Sequence, residues 1–199
     1  MKNYRTLFYW LLFLVGGLHG CTLTSREAEP ELPSLPVNQS NTVVYRLNGI
    51  PVVAHNYTDL ATQLLLPLLG PFGGGLPVLA ALSTDGTLTI NCTDNQNVTR
   101  PGFAQHSLGL QLTQFRGVGT YAPSPVNTIF RKSIRDATDE TWIFGPVQHL
   151  AAASPAEVII TEWNPTTRHL RGTFTLDFEA ATKAPTAFVR DGQFDLVAR

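Results

Sequence analysis

The sequence has little charge, few cysteines and no long apolar run. Charged residues make up 15% of its 199 positions, and the formal net charge is -1. This balance provides neither a basic field that attracts nucleic acid nor an acidic tail for basic partners. We therefore expect no nucleic-acid partner.

The apolar run near the N-terminus, residues 7–15, is shorter than the roughly 20 residues that cross a bilayer. Lys2 and Arg5 precede it, which is the order of charge and apolar residues in a signal peptide. The run leads into residues 18–21, Leu-His-Gly-Cys, which resemble a bacterial lipobox. His19 departs from the small residue usual at its position. We predict that residues 1–20 are a lipoprotein signal peptide and that Cys21 is the lipid attachment site; the alternative is an ordinary secretory signal with an incidental cysteine.

The cysteine count fits this prediction, because the chain has only Cys21 and Cys92. With lipid on Cys21, Cys92 has no partner for an intramolecular disulfide, and the fold depends on its core. Residues 21–41 are rich in Glu, Pro, Ser and Asn, so we predict a lipidated cysteine followed by a disordered tether. Residues 42–199 are predicted to form a single β-rich domain. The protein is then expected in the cell envelope, lipid-anchored to the outer membrane on its periplasmic or surface face.

The clearest strand lies at residues 170–178, where apolar or small side chains alternate with polar ones. Strands are also predicted at residues 158–163 and, interrupted at Asp191 and Gly192, at residues 188–197. The 16 glycines and 14 prolines have no fixed period, which favours many turns between short strands. The predicted fold is all-β: an antiparallel β-sandwich or β-barrel of about 8–10 strands with at most one short helix.

The remaining elements follow from turns and periodicity. Asn48 and Gly49 predict a hairpin, as do Asp85 and Gly86. Further strands are predicted at residues 43–47, 50–55, 78–82, 87–92, 108–112, 126–134 and 141–144. A short helix is predicted within residues 57–69. The glycines of residues 70–76 are interpreted as a flexible connection, since no Lys with Ser or Thr follows them as in a phosphate loop.

No catalytic pattern emerges from the sequence. The histidines after the signal are far apart and lack metal-ligand spacing, and no GxSxG motif is present. Cys92 is predicted to be a buried, unreactive thiol. We therefore assign no catalytic residue, no metal site and no cofactor.

Three glycine-centred signatures occur in order along the chain: 117–121, 158–161 leading into 172–174, and 191–194. With them, the chain resembles an uncharacterised family of small lipoproteins of Gram-negative bacteria, classed as a domain of unknown function. The resemblance implies an extracytoplasmic β-rich domain and carries over no activity.

These observations predict a membrane-anchored, non-enzymatic module that binds an interaction partner or a small-molecule ligand. One alternative is a cell-envelope hydrolase that uses Asp177, Glu179 and His169, which requires a sheet closed with its apolar face outward. The other is a lipocalin-like carrier of a small apolar ligand, which requires an open apolar cavity.

Overall fold

The computed structural model describes residues 31–35, 41–56, 76–94, 104–136, 138, 141–152, 156–179 and 185–199. The predicted signal peptide, Cys21, the predicted helix at 57–69 and nearly all of the glycine loop lie outside these residues. None of the described residues forms a helix, so none forms a helix able to span a bilayer.

The described residues form twelve strands, which confirms the all-β prediction. The strands are β1 (Thr42–Leu47), β2 (Ile50–His55), β3 (Val78–Leu82), β4 (Leu88–Thr93), β5 (Ala104–Leu112), β6 (Gly119–Tyr121), β7 (Ile129–Arg135), β8 (Trp142–Phe144), β9 (Gln148–Leu150), β10 (Glu157–Asn164), β11 (His169–Glu179) and β12 (Pro185–Val197). The number exceeds the predicted eight to ten because the three-residue strands β6 and β9 are not among the predicted strands.

The strands make one antiparallel sheet in the order β2-β1-β12-β11-β9-β7-β5-β4-β3. Strand β10 pairs with β11 and β6, and β8 pairs with β7. The sheet curls until its two ends almost meet, so the molecule is a nearly closed barrel. At the seam, Ala80 of β3 bridges Ala198 in parallel orientation. The Asn56 side chain also bonds both backbone groups of Val78 at 2.8 Å.

Several local predictions are confirmed. Asn48 and Gly49 have positive φ angles of 51° and 84°, as a two-residue turn between β1 and β2 requires. Strand β11 buries its alternate positions Leu170, Phe174 and Phe178 against the barrel interior. The interruption predicted at Asp191 and Gly192 is instead an irregularity within the continuous strand β12, where Asp191 has a φ of 53°.

The barrel interior is largely filled. Phe174 packs against Tyr45 and Phe194, with ring centroids 6.1 and 6.2 Å apart, and Phe130 packs against Phe178 at 5.6 Å. These rings belong to the same hydrophobic core as the buried aliphatic side chains, and each adds a large apolar area to it.

One end of the barrel, the base, is closed by aromatic side chains. Phe115 contacts Trp163 edge to face at 5.2 Å and stacks on Tyr121 at 5.6 Å. The Tyr121 hydroxyl donates to the Gly117 carbonyl at 2.8 Å, which fixes the loop before β6. At the opposite end, the mouth, the described residues leave a depression.

Candidate functional site

The mouth of the barrel contains an open depression, the cup, with a volume of about 240 Å³. Its residues come from β1, β2, β5, β7, β9 and β12 and from the turn between β1 and β2. They are Leu47, Asn48, Ile50, Val52, His106, Phe130, Lys132, Gln148 and Ala187.

The cup lies inside the barrel because its residues share the inward face of their strands. On β7, Phe130 is core and Lys132 lies two positions further along the same face. On β1 and β2, Leu47 and Val52 are likewise core positions. Phe130, which packs on Phe178, forms the floor of the cup. The cup is thus the part of the barrel interior that the core side chains leave open.

The two sides of the cup differ in chemistry. Strands β1, β2 and β12 contribute Leu47, Ile50, Val52 and Ala187, the apolar wall. Strands β5, β7 and β9 contribute His106, Lys132 and Gln148, the polar wall. In the sheet order, β11 separates the two groups of strands, so the walls face each other across the mouth.

Behind the polar wall lies a buried carboxylate. Asp94 Oδ2 is 3.9 Å from His106 Nδ1, and the Asp94 amide donates to the His106 carbonyl at 2.9 Å. The His106 ring stacks on Phe130, with centroids 5.9 Å apart. Within the described residues, His106 Nδ1 and the Tyr45 hydroxyl are buried and have no hydrogen-bond partner. Polar atoms in this state are rare in folded proteins and often occur near functional sites.

Two further ionisable groups lie near Asp94 and are held neutral. Burial, with the Asp94 carboxylate adding to it, raises the pKa of the Cys92 thiol to about 12. Burial raises the pKa of the Tyr45 hydroxyl well above its usual value, and Cys92 and Asp94 add to that increase. A thiol that stays protonated at neutral pH is a poor nucleophile. Neither Cys92 nor Tyr45 is therefore activated as a nucleophile at neutral pH.

The structure does not bring together the three residues of the predicted hydrolase. His169 and Asp177 lie at opposite ends of β11, about 26 Å apart at about 3.3 Å per residue. Asp177 forms an ion pair with Arg190. The barrel encloses its apolar face rather than exposing it, so Asp177 and Glu179 do not line a lumen.

His169 belongs instead to an ion-pair network outside the core. Its Nε2 is 2.7 Å from the nearly buried Asp195 carboxylate, and its Nδ1 is 3.4 Å from Glu162. Arg171 Nε donates to the same Asp195 at 2.6 Å. The network ties β10, β11 and β12 together near the base. Within the described residues, no three His, Cys, Asp or Glu side chains group closely enough to hold a metal ion.

The sequence did not identify the polar wall. His106 is far in sequence from the other histidines, and Lys132 and Gln148 belong to no motif. The sequence contains one weak signal for this wall. On the inward face of β7, the apolar Phe130 is followed two positions later by the charged Lys132. The predicted lipid site, Cys21, lies outside the described residues.

The chain was also compared with models of known protein families, with curated proteins and with solved structures, and none of the three comparisons finds a match. The resemblance to the Gram-negative lipoprotein family therefore stays a prediction from the three short signatures.

Proposed function

We propose that this protein is a lipid-anchored lipoprotein of a bacterial cell envelope and that it binds a small ligand in the cup. The anchor rests on the N-terminal sequence, in which Lys2, Arg5 and the apolar run precede the lipobox-like residues 18–21. Two or more acyl chains on Cys21 would hold the protein on the membrane stably.

The observation that carries ligand binding is the position of the cup above a filled core. Binding sites in β-barrels commonly lie at the mouth, and they combine apolar surface with a few polar groups. The cup has both kinds of wall. The presence of the cup is the reason to prefer a ligand-binding module over an interaction module without a pocket.

The size of the cup favours a small ligand over the long apolar chain of a typical carrier. Its volume of about 240 Å³ lies just below the range of about 300–1,000 Å³ for drug-sized ligands. Below it, the rings of Phe130, Phe178 and Phe174 occupy the space that a deep carrier cavity would need. The hydrolase alternative has less support, because His169 lies about 26 Å along β11 from Asp177.

The anchor can be tested by metabolic labelling. Cells that express the full chain and grow in medium with an alkyne-tagged fatty acid should yield a labelled protein in the membrane fraction. The Cys21→Ser variant should carry no label, whereas Cys92→Ser should be labelled like the wild type. Equal labelling of the wild type and Cys21→Ser would refute lipidation at this position.

The cup can be tested by methyl NMR of the purified full chain. Titration with 1-hexanol should shift the methyl resonances of Leu47, Ile50 and Val52. The methyls of Leu88 and Leu112, which are buried away from the mouth, should stay in place and serve as the internal control. Shifts that saturate only outside the cup would show that the site is elsewhere.

A further inference from the structure

Resting on the proposed ligand-binding function, we infer that the cup takes a small amphipathic carboxylic acid in its anionic form, with the carboxylate at Lys132 and the hydrocarbon part against the apolar wall. This assigns a ligand class to the cup and an orientation within it.

The positive charge of the cup comes from Lys132. This side chain is exposed to solvent, and no carboxylate of the described residues lies within ion-pair distance of it. A lysine that lines a concave surface without an internal counter-ion is available to a bound anion, and low-dielectric walls strengthen that attraction. The ammonium is therefore the anchoring group of the site.

The register of the sheet places a second nitrogen group beside it. His106 of β5 and Lys132 of β7 are directly opposite each other in the antiparallel ladder. Side chains at such positions lie on the same face with their Cβ atoms about 4.5–5.5 Å apart. A carboxylate at Lys132 thus also lies close to the His106 ring.

Among the described residues that line the cup, none is acidic. The Asp94 carboxylate faces His106 Nδ1, and Asp94 is not among the lining residues. A cationic ligand would have to approach Lys132 without a compensating negative charge, which costs free energy. The lining thus favours anions over cations of the same size.

The opposite wall defines the rest of the ligand. Leu47, Ile50, Val52 and Ala187 are all aliphatic, and Ile50 at the rim is 69% exposed, so that its apolar surface remains available for burial. At about 240 Å³, the cup is smaller than the sites of about 300–1,000 Å³ that take drug-sized ligands. A chain of about six carbons fits this space, whereas a long acyl chain does not.

The test uses three probes of equal length: hexanoate, 1-hexanol and hexylammonium. Each is titrated into the purified full chain at pH 7.5, with the affinity measured by calorimetry and the site located by the methyl shifts of Ile50 and Val52. Hexanoate should bind about three- to tenfold more tightly than 1-hexanol, because its carboxylate makes a partly exposed, charge-assisted contact with Lys132. Hexylammonium should bind most weakly of the three.

A matched pair of variants isolates the role of Lys132. Lys132→Gln should weaken hexanoate binding by about three- to tenfold and leave 1-hexanol unchanged. Arg131→Gln removes the same charge one position earlier on β7, where the side chain faces outward over the Phe144 ring. Arg131→Gln should change the affinity for hexanoate and the affinity for 1-hexanol by no more than about twofold, because the charge of Arg131 lies outside the cup.

The outcomes separate the two claims. Equal affinities for hexanoate and 1-hexanol, with Lys132→Gln silent and the shifts still at Ile50 and Val52, would overturn the anion inference and leave ligand binding in the cup intact. Tightest binding of hexylammonium would also overturn the inference. Absence of any binding in the cup by all three probes would refute the proposed function, and the inference with it.

Discussion

Phe174 is the residue on which the packing of the barrel interior can be tested most directly. Its ring lies between Tyr45 and Phe194 and is only 4% exposed. We expect Phe174→Ala to lower the free energy of unfolding by about 3–5 kcal/mol, because the ring leaves a cavity that its neighbours cannot refill. Urea denaturation measures the loss.

Thr175 supplies the control for that prediction. It is adjacent on the same strand but lies on the opposite face, where it is partly exposed. Thr175→Ala should change the free energy of unfolding by less than about 0.5 kcal/mol. Similar small losses for Phe174→Ala and Thr175→Ala would mean that the inward and outward faces of β11 have been assigned wrongly.

Cys92 is 2% exposed, so the reactivity of its thiol tests the packing of the interior. At pH 8 the native thiol should not react with Ellman's reagent, because burial raises its pKa to about 12 and leaves almost no thiolate. In urea the same thiol should react fully. If Cys21 carries lipid, the denatured chain should release one equivalent of chromophore. A rapid reaction of the native protein at Cys92 would contradict the burial of this side chain.

The same shift makes stability depend on pH. An unfolded Cys has a pKa of about 8.5. Between that value and about 12, the folded chain retains a proton that the unfolded chain releases, so stability is fully present below pH 8.5 and falls as the pH rises. The urea midpoint should decrease from pH 8 to pH 10.5. In Cys92→Ala, the urea midpoint should decrease less over the same pH range. Some decrease should remain, because the raised pKa of Tyr45 also makes stability depend on pH.

At the scale of the strands, Asp195 connects β12 to β11. Its carboxylate, nearly buried, accepts hydrogen bonds from His169 and Arg171. Asp195→Asn removes the negative charge from both partners, and we expect a loss of about 1–3 kcal/mol in the free energy of unfolding. Thermal or urea denaturation at pH 7 measures it.

Asp191, on the same strand, is the matched control. It pairs with Arg46 at 3.1 Å, but its side chain is 63% exposed. Asn tolerates the positive φ of this position, so Asp191→Asn should cost less than about 0.5 kcal/mol. If Asp195→Asn lowers the free energy of unfolding by less than Asp191→Asn does, the buried network does not stabilise the β11–β12 pair.

The elements also show how far the sequence predicts the structure. The alternation in β11 and the Asn48-Gly49 turn are local signals, and both predict the observed elements. The three-residue strand β9 has no such signal, because it is defined by its pairing with β7 and β11. The polar wall is a product of the same long-range pairing: nothing near Lys132 in the sequence indicates that His106 is its neighbour.

At the scale of the whole molecule, the choice between sandwich and barrel depends on residues at the seam. Composition and periodicity left both folds open because each has the same alternating strands. The barrel results from contacts between residues more than a hundred positions apart, among them the bridge between Ala80 and Ala198. Such a contact follows from the register of the complete sheet, and no local pattern predicts it.

Residues 198 and 199 therefore have a specific role in closure. The Arg199 amide donates to the Ala80 carbonyl at 2.9 Å, and the Leu82 amide donates to the Arg199 carbonyl at 3.1 Å. Deletion of residues 198 and 199 should lower the free energy of unfolding by about 1–3 kcal/mol, since each lost backbone hydrogen bond contributes about 1 kcal/mol. It should also speed hydrogen exchange of the Leu82 amide, because β3 then loses its partner at the seam.

Arg199→Ala distinguishes closure by the backbone from an effect of the side chain. This variant keeps both backbone hydrogen bonds and should leave the free energy of unfolding and the exchange of Leu82 close to those of the wild type. Exchange of the Val43 amide, in the paired interior of the sheet between β2 and β12, should be the same in both variants as long as exchange occurs by local opening. If the deletion leaves Leu82 as protected as before, the seam is not held by the C-terminal backbone, and the closure of the barrel depends instead on the Asn56 contacts with Val78.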